Sequence, residues 1–377
     1  SRIQPPYRRV RRTGPDPRLR FLGRASPERT PPSVSAYVQR LTSERLVESL
    51  SLPEKRYGGQ ILGWLGKGAT TFDEMTDLPL DERKRLSDLV GSPISSETTV
   101  REEDESGTIK LGITLHDGKM IEAVLLVDRK GRHTACLSVQ VGCAMGCTFC
   151  KTGTMGLIRN LASEEIIEQY VHLSKAASRP ITHIVFMGMG EPFHNFDPTI
   201  RAIHYLNRKE TFNIGLRRMT ISTCGVVPGI NKLAELKLPI KLAVSLVSAD
   251  DSLRTRLMPV NKRWPLAELK EALLAYQESV PKRLTLEYCM LGGVNTTGES
   301  ARQLELFTRG LDVIVNLIAW NPIDELEFST PSEEEQKAFS ALLNRYRVKH
   351  TLRISRGRTI GGACGQLATS HNPETKR

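Results

Sequence analysis

The chain has 377 residues, 39% of them hydrophobic and 25% charged, with a formal net charge of +11. That length buries a large core and points to one big domain with a smaller companion, and the composition is that of a globular protein. No run of about 18 apolar residues is present, which excludes a spanning helix, and the first residues carry no apolar signal core, so the chain reads as cytoplasmic with no membrane partner.

The charge is unevenly placed. Residues 1–30 hold nine arginines against Asp16 and Glu28, a net of +7, which leaves only +4 for the other 347 residues. Composition therefore gives a basic, disordered tail over 1–33, with a phosphate-tracking arm as the second reading. From 34 to about 100 the apolar spacing is helical. "SAYVQRLTSERLVESL" is one helix, "PEKRYGGQILGWLGKG" is a second that stops at Gly66 and Gly68, and the charged "TTFDEMTDLPLDERKRLSDL" is a third. We read this stretch as a small helical accessory domain. Residues 101–133 form a linking β-hairpin, because "GTIKLGITLHDGKMIEAVLL" alternates about the Asp117-Gly118 turn.

From residue 134 short β-rich runs alternate with helical ones: strands are expected at 134–141, 181–189, 217–223, 240–247, 283–291, 312–320 and 348–355. Ser163 is the expected N-cap of the first intervening helix, and Pro265 the expected first residue of a later one. Regular strand–helix alternation means parallel βαβ units. Six or more such units give a partial barrel, here over 134–368, with its ligand groups at the C-terminal strand ends. Residues 369–377 are a tail.

Seven cysteines, at 136, 143, 147, 150, 224, 289 and 364, suit a reducing compartment rather than a disulfide framework. Cys143, Cys147 and Cys150 follow the first barrel strand with Gly142 and Gly146 among them. Three thiolates can hold three irons of a [4Fe–4S] cluster and leave the fourth open. A zinc site completed by a distant residue, or three unliganded thiols, are the competing readings. Cys136 falls on the first strand, on the face shared with 138 and 140. Cys364 lies in the Gly-rich "GGACGQLA". Glu122 lies in the apolar "MIEAV", where desolvation raises a carboxyl pKa and suits it to proton transfer. Cys224 and Cys289 read as core thiols.

The Cys-x3-Cys-x2-Cys spacing after the first strand of an αβ barrel resembles the radical S-adenosylmethionine (SAM) superfamily. The ordered set "CLSVQVGCAMGCTFCKTGTMGLIRNL", "FMGMGEPFHN", "ISTCGVVPGI", "LAVSL", "RLMPVNKRWP", "EYCMLGGVN", "NLIAWNP" and "ACGQL" resembles the adenine-C2 methyltransferases of 23S ribosomal RNA and transfer RNA, over roughly residues 40–368. The resemblance implies a partial (β/α)6-type radical SAM barrel, an open iron that binds SAM, and SAM contacts from Gly190, Glu191, Ser222, Ser245, Leu246, Val247 and Asn321. Family members commonly carry His at the position of Val247. It also implies two SAM molecules per turnover. One methylates Cys364; the other yields a radical that activates the S-methyl group for addition to adenine carbon 2. Glu122 then removes the carbon 2 proton, and Cys136 resolves the RNA–protein crosslink by forming a disulfide. The partners so implied are 23S rRNA, tRNA and an external electron donor, with the enzyme a monomer. A carbon 8 methyltransferase of the antibiotic-resistance type shares these motifs. A non-catalytic metal-binding RNA-binding protein explains the clustered cysteines but leaves Cys136, Cys364 and "GMGEP" idle.

Overall fold

The computed structural model describes residues 43–368; the basic tail, the start of the first expected helix and the 369–377 tail lie outside the described residues. Helices α1 (Ser43–Ser49), α2 (Lys55–Gly66) and α3 (Leu80–Val90) come first. Strands β1 (Glu97–Glu103), β2 (Ile109–Thr114) and β3 (Met120–Val127) follow as an antiparallel meander. Residues 97–103, divided in sequence between helical segment and hairpin, are thus a third strand: Thr98, Thr99 and Val100 favour extended backbone, and Thr98 and Val100 pair with β2 across a bulge at Thr99.

The barrel runs through β4 (His133–Cys136), the ribbon strand β5 (Gln140–Gly142), α4 (Lys151–Thr154), ribbon strand β6 (Leu157–Asn160), α5 (Ser163–Ala176), β7 (Ile181–Phe186), α6 (Phe196–Asn207), β8 (Met219–Thr223), α7 (Val227–Leu236), β9 (Lys241–Ser245), α8 (Asp251–Leu257), α9 (Leu266–Ser279), β10 (Leu284–Met290), α10 (Gly298–Thr308), β11 (Val313–Ala319), α11 (Glu333–Arg345) and β12 (His350–Arg353). One ten-stranded sheet has the order β1-β2-β3-β4-β7-β8-β9-β10-β11-β12. The seven strands from β4 to β12 pair in parallel, and β3 joins β4 antiparallel with Val124 opposite Cys136. Six helices, α5, α6, α7, α9, α10 and α11, connect the seven strands, which is a partial (β/α)6 barrel extended by one strand and a meander.

Strand pleat divides the barrel wall. Along β10, Leu284, Leu286, Tyr288 and Met290 are fully buried in the core, while Thr285, Glu287 and Cys289 face the lumen. Three local expectations need correction. The run 134–141 is not one strand: it breaks after Cys136, where Ser138 N–H turns to Gln169 Oε1 on α5 (2.7 Å) and Ser138 Oγ donates to the Glu122 carbonyl (2.6 Å). Gln140–Gly142 then pairs with Leu157–Asn160 in a separate ribbon. Ser163 is already the first residue of α5; Ala162 precedes it, its N–H donating to Glu165 Oε2 (2.8 Å). Pro265 stands just outside α9 rather than in its first turn.

The meander is fastened to α5 by a buried polar knot. Glu168 accepts from Ser95 N–H (2.9 Å) and from the Ser96 hydroxyl, and His172 meets Ser96 Oγ and Thr98 Oγ1 at 3.0 Å each. Burial, aided by Lys175, pulls the His172 pKa down to about 4. Between about pH 6.5 and 4 the unfolded chain therefore takes up a proton that the folded chain refuses, and stability falls as the medium is acidified. Unfolding of the wild type should lose up to roughly 3 kcal/mol more than His172→Gln between pH 7 and 4. Equal losses in denaturant titrations would remove the buried neutral imidazole as the cause.

Candidate active site

The cysteine loop leaves β5 through Gly142, whose φ is 78°. A Cβ there would stand 2.0 Å from the Gly156 carbonyl oxygen. Gly146 turns the loop again at φ 63°. Thr148 N–H donates to the Leu257 carbonyl at the end of α8 (3.0 Å), and Lys151 N–H to the Gly365 carbonyl (2.8 Å). The loop is thus held from two sides of the barrel top.

Cys143, Cys147 and Cys150 line one cavity with Gly190, Glu191, Ser222, Ser245, Val247 and Cys364. Burial pushes all three loop thiols up, Cys143 to about 12, and each of Cys143 and Cys147 is raised further by another cysteine of the trio. Thiols so placed ionise only with a cation to take the charge. Among the described residues no three His, Cys, Asp or Glu side chains converge as on a single metal ion. A cluster, in which each cysteine binds a different iron, does not ask for that convergence. The donor set therefore fits an iron–sulfur cluster better than a lone zinc ion.

The adjoining loop after β7 is built around glycine. Gly190 has φ 99°, and a Cβ on it would meet Gln140 Cβ at 2.5 Å. Glu191 follows, 3% exposed, with Oε1 accepting from Phe193 N–H (3.0 Å) and Oε2 from Cys224 N–H (2.8 Å). Burial raises its pKa against those hydrogen bonds. Past β9, Val247 adopts φ 60° and Ser248 N–H reaches back to the Leu246 carbonyl (2.7 Å), a strained turn for a β-branched residue. Arg254, fully buried, donates to the carbonyls of Leu246 (3.1 Å), Cys224 (2.7 Å) and Ser245 (3.3 Å) and to Asn261 Oδ1 (2.8 Å).

A second, wider cavity of about 750 Å³ occupies the opposite half of the lumen and contains Cys136 in its wall. Its lining carries seven basic side chains, Arg129, Lys130, Arg132, Arg218, Lys241, Arg353 and Arg356, against Asp128 and Glu287. Met187, Glu287, Ile318, Cys364 and Leu367 border both cavities and form the waist between them. Cys364 exposes its side chain, yet it does so inside the lumen, where burial raises the thiol to about 11 and Glu287 adds to the rise. Cys136 is pushed up to about 12, by burial first and then by Cys364.

The sequence-derived residues do not all meet. Leu246 and Asn321 lie outside the cavity walls; Asn321 Nδ2 instead donates to the Cys364 carbonyl (3.1 Å) and steadies its loop. Glu122 borders neither cavity. Its Oε2 accepts from Ala368 N–H (2.8 Å) and Lys110 Nζ lies 3.4 Å from Oε1, while burial raises its pKa. Cys224 and Cys289, read as core thiols, both line the upper cavity. For Cys289 the signal was its alternation with Leu286, Tyr288 and Met290 along β10.

Cysteine loop, glycine turn and barrel together define a radical SAM enzyme, and residues 137–302 match the family described as the radical SAM superfamily. Curated relatives extend the match to nearly the whole chain. A probable dual-specificity RNA methyltransferase RlmN of Treponema pallidum is 45% identical over 87% of this chain and 96% of its own length. The dual-specificity RNA methyltransferase RlmN of Anaeromyxobacter sp. is 41% identical over 93% and 94%. The crystal structure of a radical SAM methyltransferase from Sphaerobacter thermophilus superposes with a TM-score of 0.82 at 39% identity, covering 89% of this chain and 99% of that one. The chain belongs to the RlmN family of radical SAM RNA methyltransferases.

Gly142→Ala should fold but fail to hold the loop. We expect iron bound on anaerobic reconstitution to drop at least several-fold while far-ultraviolet circular dichroism stays near wild type; wild-type iron content would show that the close approach to Gly156 is dispensable.

Proposed function

We propose that the protein methylates carbon 2 of an adenine in 23S rRNA and in tRNA, through an S-methylcysteine and a transient RNA–protein crosslink. The observation that carries the reading is the position of Cys364: one thiol belongs at once to the wall shared with the cysteine trio and to the basic cavity that holds Cys136. Sequence left the body of the chain only mildly basic; the fold gathers cations from the β3–β4 turn, from Arg218 just before β8, from β9 and from the end of β12 around one opening, as an RNA backbone requires.

Cys143, Cys147 and Cys150 would hold the cluster, which when bound would supply the electron that cleaves SAM and take back the one released when the crosslink forms. Gly190, Glu191, Ser222, Ser245 and Val247 receive SAM; Glu191 keeps lone pairs free for its ammonium group beyond the two backbone N–H groups it already serves. Leu246 and Asn321 support that site from behind. Two SAM molecules are consumed per turnover, one as methyl donor and one to activate the methyl carried by Cys364 sulfur. Glu122, which holds the end of the Cys364 loop through Ala368, is the carboxylate assigned to the carbon 2 proton. Cys136 sulfur then attacks Cys364 sulfur. The S–S bond forms, the S–CH2 bond breaks, and its electron pair stays on the methylene carbon, which takes a proton and becomes the methyl group. An external donor reduces the disulfide and the cluster. The reading places the enzyme, as a monomer, in the reducing cytoplasm.

Cys136→Ala should accumulate a covalent protein–RNA adduct, visible on denaturing gels, and release at least 100-fold less product. Cys364→Ala should form neither adduct nor product. Mass spectrometry of the RNA digest should find 2-methyladenosine; a carbon 8 product, or an adduct-free Cys136→Ala enzyme, sinks the corresponding part of the scheme.

A further inference from the structure

One polar group at the waist is idle in this scheme. Glu287 points inward from β10, is 8% exposed, and borders both cavities beside Cys364. Its Oε1 accepts from Asn316 Nδ2 at 3.1 Å, and Asn316 Oδ1 in turn accepts from Thr351 Oγ1 at 2.7 Å. Its Oε2 is buried with no hydrogen-bond partner and has only a long ion pair, to Arg353 Nη1 at 3.8 Å. A buried carboxyl oxygen without a hydrogen bond is destabilising unless a ligand completes it. The rest of the waist, Met187, Ile318 and Leu367 around Cys364, is apolar and suits the faces of a flat heterocycle.

The missing partner can be specified. Burial raises the Glu287 carboxyl pKa, with Arg353 and Asn316 acting against it. A neutral carboxyl offers one O–H donor beside one acceptor. Adenine carries the complementary pair, the N6 amine beside a ring nitrogen. Guanine offers such a pair too, N1–H beside O6, so the contact fixes where on adenine the grip falls rather than excluding guanine. The ring nitrogen that is gripped also decides which carbon lies next to it, because N1 borders carbon 2 and N7 borders carbon 8.

We propose that Glu287, in its protonated form and with Asn316 still donating to Oε1, grips N1 through the Oε2 hydroxyl and N6 through Oε1, and so presents carbon 2 of the target adenine to Cys364. Glu287 is then the residue that sets the position modified. The inference rests on the reading of the protein as an adenine methyltransferase and adds the contact that reading lacks.

The test uses anaerobically reconstituted full-length enzyme and RNA stem-loops carrying adenine, 7-deazaadenine, 1-deazaadenine or purine at the target position, with affinity read by fluorescence anisotropy. Wild type should bind adenine and 7-deazaadenine alike and lose 10- to 100-fold with 1-deazaadenine, which lacks N1, and with purine, which lacks the amine. Glu287→Gln, whose amide also sets a donor beside an acceptor, should keep that ranking. Glu287→Ala should bind all four RNAs equally. A wild type indifferent to the 6-amine overturns the grip, as does one that suffers from loss of N7 instead of N1; neither result needs a variant to fold. Methyl transfer to adenine is assayed separately. Transfer without discrimination leaves the function standing and removes Glu287 from it; discrimination without transfer does the reverse.

Discussion

The upper half of the barrel is organised around one buried cation. Arg254 spends its guanidinium on the carbonyls that end β8 and β9 and on Asn261, which is itself held by Asp251 Oδ1 (2.8 Å) and Thr255 Oγ1 (2.9 Å). Those carbonyls belong to the turns that carry Cys224, Ser245 and Leu246, so their directions are set by this side chain. A charge buried without a carboxylate hydrogen-bonded to it is costly, and here backbone and amide dipoles are its direct partners. Burial lowers its pKa, and Cys224, Cys147 and Asp251 oppose that electrostatically. An ionised, metal-bound Cys147 would complete the balance.

Below that rim the lumen is partitioned by chemistry rather than by a wall. The upper cavity gathers thiols, glycine backbone and a buried carboxylate; the lower one gathers cations. Between them stands a narrow band of Met187, Ile318 and Leu367 with Glu287 and Cys364. An anionic polymer is attracted to one side only, while the oxygen-sensitive centre expected on the other side is kept away from the charged mouth.

Much of this was legible in the chain. The cysteine spacing and seven β-rich runs gave the barrel and the position of its metal loop, because both are local patterns. What escaped depends on register. Glu287 and Cys289 alternate with Leu286, Tyr288 and Met290, but only the pairing of β10 with β9 and β11 shows which of the two faces is the lumen. Ser138 breaks an apparently uninterrupted strand because its hydrogen bonds go to α5 and β3, which no local propensity encodes. Arg132, Arg218, Lys241 and Arg353 are scattered along the sequence and look like ordinary surface charge until the barrel closes them around one opening. Glu122 shows the opposite limit: its apolar setting was plain, but its partner, Ala368, lies 246 residues away.

The loop bearing Cys364 is pinned on both sides, its carbonyl by Asn321 and its far end by Glu122 through Ala368. The sulfur can swing about its own side-chain bonds but cannot travel. Whatever it serves must come to it, down a lumen lined by side chains on every strand. A nucleotide brought to it would have to leave its stack, as bases do for enzymes that act on them. The enzyme's choice among RNAs is then a choice of places where the nucleic acid gives up a base cheaply, and loop mechanics in the RNA weigh as heavily as sequence.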